Sequence, residues 1–244
     1  MDRANTDFQT NITNMLRRAL KSSDSSLAYY QTIAAEFCDQ ANPRGLVLFH
    51  HMGFGKTVLS YAIADRMLAK LPNFKALIIA PKTLVNNFKE AAKTYTKITG
   101  KTVDPDKIKY VKSSVATEKY VAQLDPLDFD DAELAKAAGG LKSFDNYIIF
   151  IEEAHLFIRK IANGSPSSVR LYDLMMKSNC RIIALTGSLI ASRPFELSPL
   201  LNLVSGEHLF PETEESFDEA FVKDGEILNK CGFQDRIYGL VSRM

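Results

Sequence analysis

Apolar residues along this chain fall into two periods. Four short runs are almost unbroken: GLVLFH (45–50), KALIIA (75–80), NYIIFI (146–151) and RIIALT (181–186). Each is rich in branched or aromatic side chains and bounded by polar or turn-forming residues, the pattern of strands covered on both faces of a parallel sheet. IKYVKSS (108–114) offers one more strand. Between the runs, TVLSYAIADRMLAKL (57–71), TLVNNFKEAAKTY (83–95) and VRLYDLMMKS (169–178) repeat at helical spacing. Strands alternating with helices predict an α/β fold, a mostly parallel sheet flanked by helices and joined by right-handed crossovers.

The ends of the chain read differently. Phe8, Ile12, Leu16 and Leu20, widened by Met15 and Ala19, predict an amphipathic N-terminal helix within residues 1–26, which the polar patch KSSDSS (21–26) interrupts. A second helix spans about Leu27 to Cys38 and stops at NPRG (42–45). Residues 116–143, rich in Asp, Ala and Lys, predict a helical insert. ELSPLLNLV (196–204) is apolar and helical. Beyond it lies an acidic helical tail over 207–244, in which residues 207–226 hold eight carboxylates against Lys223, with Phe210, Phe217 and Phe221 interspersed. That stretch reads either as a solvated helix packed by its aromatic residues or as an acidic docking surface.

Composition narrows the class. The 244 residues are 46% hydrophobic and 24% charged, an ordinary globular balance. With 30 Lys+Arg against 29 Asp+Glu the net charge is +1, so no global field draws nucleic acid, although a local basic face remains open. Cys38, Cys180 and Cys231 are too far apart to predict a disulfide framework or a paired-cysteine zinc site. No apolar run reaches the roughly 18 residues of a membrane span. Asp2, Arg3, Asp7, Arg17 and Arg18 break any secretory pattern. The expectation is a soluble intracellular protein with no membrane partner.

The strongest chemistry follows the first strand, in His50-His51-Met52-Gly53-Phe54-Gly55-Lys56-Thr57. Gly53 and Gly55 let the backbone around Phe54 curl so that successive N–H groups face phosphate oxygens. Lys56 brings a point charge to the β- and γ-phosphates, and Thr57 a hydroxyl for Mg²⁺. A helix starting there points its N-terminal dipole at the same anion. The match to G-x-x-x-x-G-K-[ST] is incomplete, because His50 stands where the first glycine belongs. The plainer alternative is a tight turn with an incidental lysine.

The third run ends in Ile151-Glu152-Glu153-Ala154-His155. Beside a phosphate loop, a carboxylate at a strand tip holds the metal shell, and a second one aligns water for attack. Glu152 is placed for the first task and Glu153 for the second; elsewhere two such glutamates would simply be solvated. His155 reads as a sensor of the γ-phosphate, a link to the next strand, or a packed polar residue. The fourth run ends in Thr186-Gly187-Ser188, either a coupling element for the metal and water site or an ordinary strand-to-loop turn.

Together these residues resemble the first motor domain of superfamily 2 helicases and translocases, the DEAD/DEAH-like and Snf2-like group. MGFGKT (52–57) matches the family's phosphate loop, APKTLVNNF (80–88) its Ia element, EEAH (152–155) its DEAH box, and LTGS (185–188) its coupling motif. Gln31 resembles the upstream glutamine that reads adenine. RGLVLFH (44–50), LTGSLIASRPFELSPLLNLVSG (185–206) and FPETEESFDEAFV (210–222) are further similar to NTPases of large cytoplasmic DNA viruses, including their early transcription factor helicases. The resemblance implies a RecA-like ATP-binding domain over 27–206, ATP and Mg²⁺ as ligands, catalytic roles for Glu153, Lys56 and His155, and a place in viral transcription, in virion and host cytoplasm. It also implies phosphate contacts to DNA or RNA through Lys82–Asn87 and a loop over 159–170; for the latter an exposed connector is the alternative.

Two substitutions depart from the family pattern. Glu152 replaces aspartate, and Ser188-Leu189 replaces the usual Thr-Pro. The family's second motor domain, with its arginine fingers, is expected outside these residues, in cis or in trans. A catalytically weak regulatory subunit is therefore a second reading. A small-molecule kinase is a third, opposed by LTGS and by the lack of an obvious lid.

Overall fold

In the computed structural model, residues 26–81, 83–113, 143–190, 192–223, 226–228 and 230–244 are described, together with Thr13, Asn14 and Arg17 in a helix. The expected N-terminal helix falls almost wholly, and the expected 116–143 insert almost entirely, outside them.

The first helix described over its full length is α1 (Tyr29–Ala41), which ends where Asn42 takes a left-handed C-cap (φ 42°) ahead of Pro43. β1 (Gly45–Phe49) leads into α2 (Lys56–Lys70), then β2 (Lys75–Pro81), α3 (Val85–Thr99), a short 3₁₀ turn (Pro105–Lys107) and β3 (Ile108–Ser113). β4 (Tyr147–Glu152) is followed by α4 (Ala154–Ala162), α5 (Pro166–Lys177), β5 (Arg181–Thr186), a 3₁₀ turn (Pro194–Glu196) and α6 (Leu197–Ser205). The last elements are α7 (Glu214–Phe221), the two-residue strands β6 (Val222–Lys223) and β7 (Glu226–Ile227), α8 (Lys230–Ile237) and β8 (Val241–Arg243). The strands and helices expected within the described residues are present, with α3 running four residues further than its apolar pattern.

Six strands form one sheet in the order β3-β2-β4-β5-β1-β8, and every pairing in it is parallel. Strict alternation along the strands divides the core. Leu46, Leu48, Ile78, Ile148, Phe150, Ile183 and Leu185 face α1, α2 and α3. Val47, Leu77, Ile79, Ile149, Ile151 and Ile182 face α4 to α8. Both faces are therefore dry, which is why these strands read as continuous apolar runs. Arg44 joins sheet to helix: its Nη2 donates to Met175 O in the last turn of α5 at 2.7 Å and its Nη1 to Cys180 O, just before β5, at 2.7 Å.

The segment 207–244, expected as a helical tail, contains α7 and α8 but also supplies β8 to the sheet. Phe217 and Phe221 of α7 pack with Phe210 and Phe233, and Arg236 lies 5.1 Å over the Phe221 ring. That is the packed aromatic helix of the two readings for this stretch.

Gly45 marks a close approach of β1 to α6. A Cβ there would stand 2.4 Å from Ile182 O and 2.7 Å from Val204 O, both backbone atoms that cannot swing aside. Gly45→Ala is expected to destabilise the chain by about 1–3 kcal/mol, lowering Tm by roughly 2–4 °C per kcal/mol for a domain of this size. An unchanged melting curve would contradict that packing.

Candidate functional site

Parallel order gathers three neighbouring strand ends on one edge. β1 lies beside β5 and β5 beside β4, so the loop after β1, the turn after β5 and the turn after β4 are neighbours. Open α/β sheets bind ligands outside such carboxyl ends.

After Phe49 the chain curls through His50–Gly55 into α2. Gly53 (φ 84°) and Gly55 (φ 64°) both occupy the left-handed region, where a side chain is costly. Gly55 is also the N-cap of α2, which places Lys56 and Thr57 in its first turn with free helix N–H groups. The Lys56 ammonium is buried and donates to His50 O at 2.8 Å and to His51 O at 3.2 Å. The loop thus closes on its own lysine, with peptide carbonyls occupying the donors that phosphate oxygens would take.

Two side chains of α1 brace the loop. Tyr30 Oη donates to Phe54 O at 2.8 Å. Gln31 Nε2 donates to Gly55 O at 3.1 Å, while Gln31 Oε1 accepts from Ala28 N at 2.9 Å. Adenine recognition by Gln31 would require exchange of one of these bonds. Phe54 is itself exposed, its ring 6.0 Å from that of Tyr30.

His50, at the missing glycine, has no exposed surface. Its Nε2 lies 3.0 Å from Ser242 Oγ of β8, and Nδ1 has no partner among the described residues. Burial first, and then the Lys56 charge, hold its pKa below the ordinary histidine value, so the ring is neutral at pH 7. Tyr30 and Ser242 were not singled out from sequence. Partners 24 and 192 residues away leave no local spacing signal.

Glu152 closes β4. One of its carboxylate oxygens, Oε2, is buried with no hydrogen-bond partner among the described residues. Burial pushes its pKa up to about 7 and neighbouring Glu153 adds to the rise, while Lys56 opposes it. A carboxyl raised from an ordinary 4.5 stabilises the fold while protonated, below about pH 4.5, and that stabilisation is lost as pH climbs through 7. Nucleotide-free protein is expected to lose on the order of 3 kcal/mol between pH 4.5 and 8 from this group. Glu152→Gln should remove that part of the slope. Equal slopes for both proteins in pH-dependent denaturation would overturn the assignment.

Glu153 is the N-cap of α4 and takes a left-handed backbone (φ 50°, ψ 48°) unusual for a non-glycine residue. Such strain costs of order 1–3 kcal/mol and concentrates at functional turns. Its Oε2 lies 3.4 Å from His155 Nδ1. That same nitrogen lies 2.9 Å from Thr186 Oγ1, so His155 makes the link to the next strand. Thr186 Oγ1 donates to Ser188 O and accepts from Ser188 N at 3.1 Å. With its one proton committed to Ser188 O, the hydroxyl must accept from His155, which places the proton on Nδ1. Burial holds the ring neutral by lowering its pKa, leaving Nε2 as an acceptor. Gly187 is exposed, and Ser188 Oγ turns away to Ile190 O at 2.6 Å.

The expected nucleic-acid loop over 159–170 is corrected. Arg159 and Lys160 sit in the last turn of α4 and Arg170 in α5, so only residues 163–165 connect the helices. Pro166 at the first helical turn is the start signal that makes the connection short. Of the Ia element, Lys82 lies outside the described residues, and Val85–Asn87 open α3.

Among the described residues no three His, Cys, Asp or Glu side chains form a metal-holding group. The donor set nevertheless suits Mg²⁺, which is typically held by one or two protein oxygens and completed by substrate phosphates. Thr57 and Glu152, whose Oε2 is unpartnered among the described residues, would supply such oxygens. No helix among the described residues is long and apolar enough to cross a membrane.

Comparison with known proteins bears on the family and the fold. The profile of the type III restriction enzyme res subunit family matches residues 7–190. The termination factor NPH-I homolog of African swine fever virus is 31% identical over 96% of this chain and 33% of its own length. The early transcription factor 70 kDa subunit of Melanoplus sanguinipes entomopoxvirus is 27% identical over 67% of this chain and 23% of its own. The chain thus spans about a third or less of the relatives it matches. The SWI2/SNF2 ATPase core of Sulfolobus solfataricus, solved with double-stranded DNA, superposes with a TM-score of 0.58 at 19% identity, covering 88% of this chain and 43% of that one. At that identity the likeness establishes the fold alone, a RecA-like parallel sheet flanked by helices.

Proposed function

The chain belongs to the type III restriction enzyme res subunit family, as a superfamily 2 first motor domain, and we propose that it is the ATP-binding lobe of an ATP-dependent DNA or RNA helicase or translocase serving viral transcription. One observation supports this above the others. The carbonyl-bound ammonium of Lys56 and the unpartnered carboxylate oxygen of Glu152 share one sheet edge, two groups of opposite charge each short of its natural ligand.

In this reading the loop opens when phosphate oxygens replace the His50 and His51 carbonyls on Lys56. The N–H groups around Gly53–Gly55 and the start of α2 complete an anion cradle. Held by Thr57 and Glu152, Mg²⁺ would neutralise charge on the β- and γ-phosphates. Glu153 orients the attacking water and accepts its proton. His155, held by its Nδ1 proton on Thr186, connects that carboxylate to Thr186-Gly187-Ser188, the segment through which the state of the nucleotide reaches the rest of the motor. Tyr30 and Gln31 set the loop's position. Virion and host cytoplasm are the compartments this role implies.

Glu152 favours a slow variant of the same reading. Its side chain is one methylene longer than the family's aspartate, and its proton must leave before a cation binds. Full turnover further awaits arginine fingers from a second lobe, worth about 10³–10⁵ in rate. Steady-state phosphate release from this chain, with and without single-stranded and duplex DNA, tests the account. The expected result is slow turnover that DNA barely changes. Strong stimulation of this chain alone would defeat the two-lobe mechanism.

A further inference from the structure

The chain's charge is nearly balanced overall, yet it is not evenly spread. Residues 85–113 contain seven lysines against Glu90, Asp104 and Asp106, while the whole chain carries a net charge of only +1. Three of the lysines form a ladder on α3. Lys89, Lys93 and Lys97 are all exposed and recur every four residues, a rise of ~6 Å per step. Val85, Phe88, Ala91 and Tyr95 are buried on the opposite side of α3, so the helix cannot rotate and the ladder must face solvent.

A groove of about 270 Å³ runs beside this ladder, between α2, α3 and β3. Tyr61 and Tyr95, both buried, form its floor with rings stacked at 6.4 Å. Their hydroxyls are engaged, Tyr61 Oη with Tyr110 Oη at 2.8 Å and Tyr95 Oη with Asp65 Oδ2 at 3.0 Å. Tyr110 forms a half-buried wall, with the Lys89 ammonium 5.7 Å above its ring. Lys93 stands at the rim, paired with Glu90. Among the described residues no carboxylate lines the groove. Its chemistry is cationic at the rim and aromatic within.

A ligand that suits both parts carries regularly spaced negative charges and flat apolar units. We propose that the α3 lysine ladder and the Tyr110 groove form a second binding track for single-stranded nucleic acid, with phosphates on Lys89, Lys93 and Lys97 and a base against Tyr110. Cationic grooves with aromatic platforms bind single strands in this way without reading sequence. α3 starts just beyond the carboxyl end of β2, on the same sheet edge as the phosphate loop, and the track leads away from that edge along the helix. It rests on the nucleic-acid part of the proposed function but not on ATP binding. An acidic protein segment would use the ladder without needing the tyrosine.

Fluorescence anisotropy of a labelled oligothymidylate, titrated with the 244-residue chain across a salt series, tests the proposal. The triple variant Lys89→Glu, Lys93→Glu, Lys97→Glu is expected to bind more weakly, with the slope of log K against log salt shallower by about 2, at ~0.7 per phosphate contact. Reversals at Lys177 and Lys230, exposed on other elements, should leave that slope unchanged. Tyr110→Ala should weaken binding about tenfold, and Tyr110→Phe, which keeps the ring and loses the hydroxyl, by less than about twofold. The proposal is overturned if the triple variant keeps the wild-type slope, if Tyr110→Phe is as weak as Tyr110→Ala, or if polyglutamate of equal charge competes as well as the oligonucleotide. Absence of oligonucleotide binding alongside normal Mg·ATP binding would sink the track and leave the ATP lobe standing. Loss of Mg·ATP binding alone would do the reverse.

Discussion

Glu153→Gln is expected to slow ATP hydrolysis by on the order of 10²–10⁴, the usual contribution of a positioned general base, while Mg·ATP affinity changes by less than about threefold. The two effects separate because Glu153 sits at the head of α4 with its carboxylate turned toward His155. The substitution is close to isosteric, so the left-handed turn that aims the side chain should persist. Gln cannot accept a proton from water, and its amide meets His155 Nδ1 as one more donor or a weaker acceptor. Single-turnover phosphate release at saturating Mg·ATP, set beside equilibrium binding, reads both quantities. A matching loss of affinity and rate would place Glu153 in ground-state binding instead.

Lys56→Met is the second large effect. It should weaken Mg·ATP binding by roughly 30- to 1,000-fold, since truncating one partner of a buried, hydrogen-bonded charge pair costs about 2–4 kcal/mol or more. In the nucleotide-free protein the consequences reach further. His50 O and His51 O lose their donor, a penalty of ~1–3 kcal/mol for each carbonyl that water cannot reach. Glu152 loses the one nearby cation that holds its pKa down. Its carboxyl should then titrate higher still, and the binding defect should be accompanied by a lower Tm. Isothermal titration and thermal denaturation of the same preparation distinguish a lost ligand contact from a collapsed loop. A variant that melts like wild type and binds ATP normally would remove Lys56 from the site.

The sheet was legible because both of its faces are covered. Burial on each side turned β1, β2, β4 and β5 into uninterrupted apolar runs that alternation with helices then ordered. β8 had no such signature. Val241–Arg243 is half-exposed and joins the sheet through backbone pairing to β1, and main-chain hydrogen bonds leave little trace in side-chain pattern. The helix start at Pro166 was readable in principle, but the polar stretch around it masks the period. Within the site, loop, carboxylates and hydroxyl turn could be placed one by one from local motifs. Their mutual contacts could not. The bond from His155 to Thr186 spans 31 residues of sequence, that from Gln31 to Gly55 spans 24, and His50 reaches Ser242 across 192. Folding alone creates those distances, and they determine that Gln31 braces the loop and that His50 takes the glycine's place as a buried neutral ring.

The lone Glu152 oxygen and the carbonyl-bound Lys56 ammonium make one claim testable above the rest: this chain binds Mg·ATP at the edge after β1, β4 and β5. An equilibrium titration of the wild-type chain with ATP, in the presence and absence of Mg²⁺ and repeated at pH 6 and pH 8, addresses it directly. The expected result is saturable one-to-one binding that ADP displaces, that requires Mg²⁺ for full affinity, and that tightens at the higher pH as Glu152 gives up its proton near 7. Folded protein that fails to bind, or that binds equally with and without Mg²⁺ at both pH values, would contradict it.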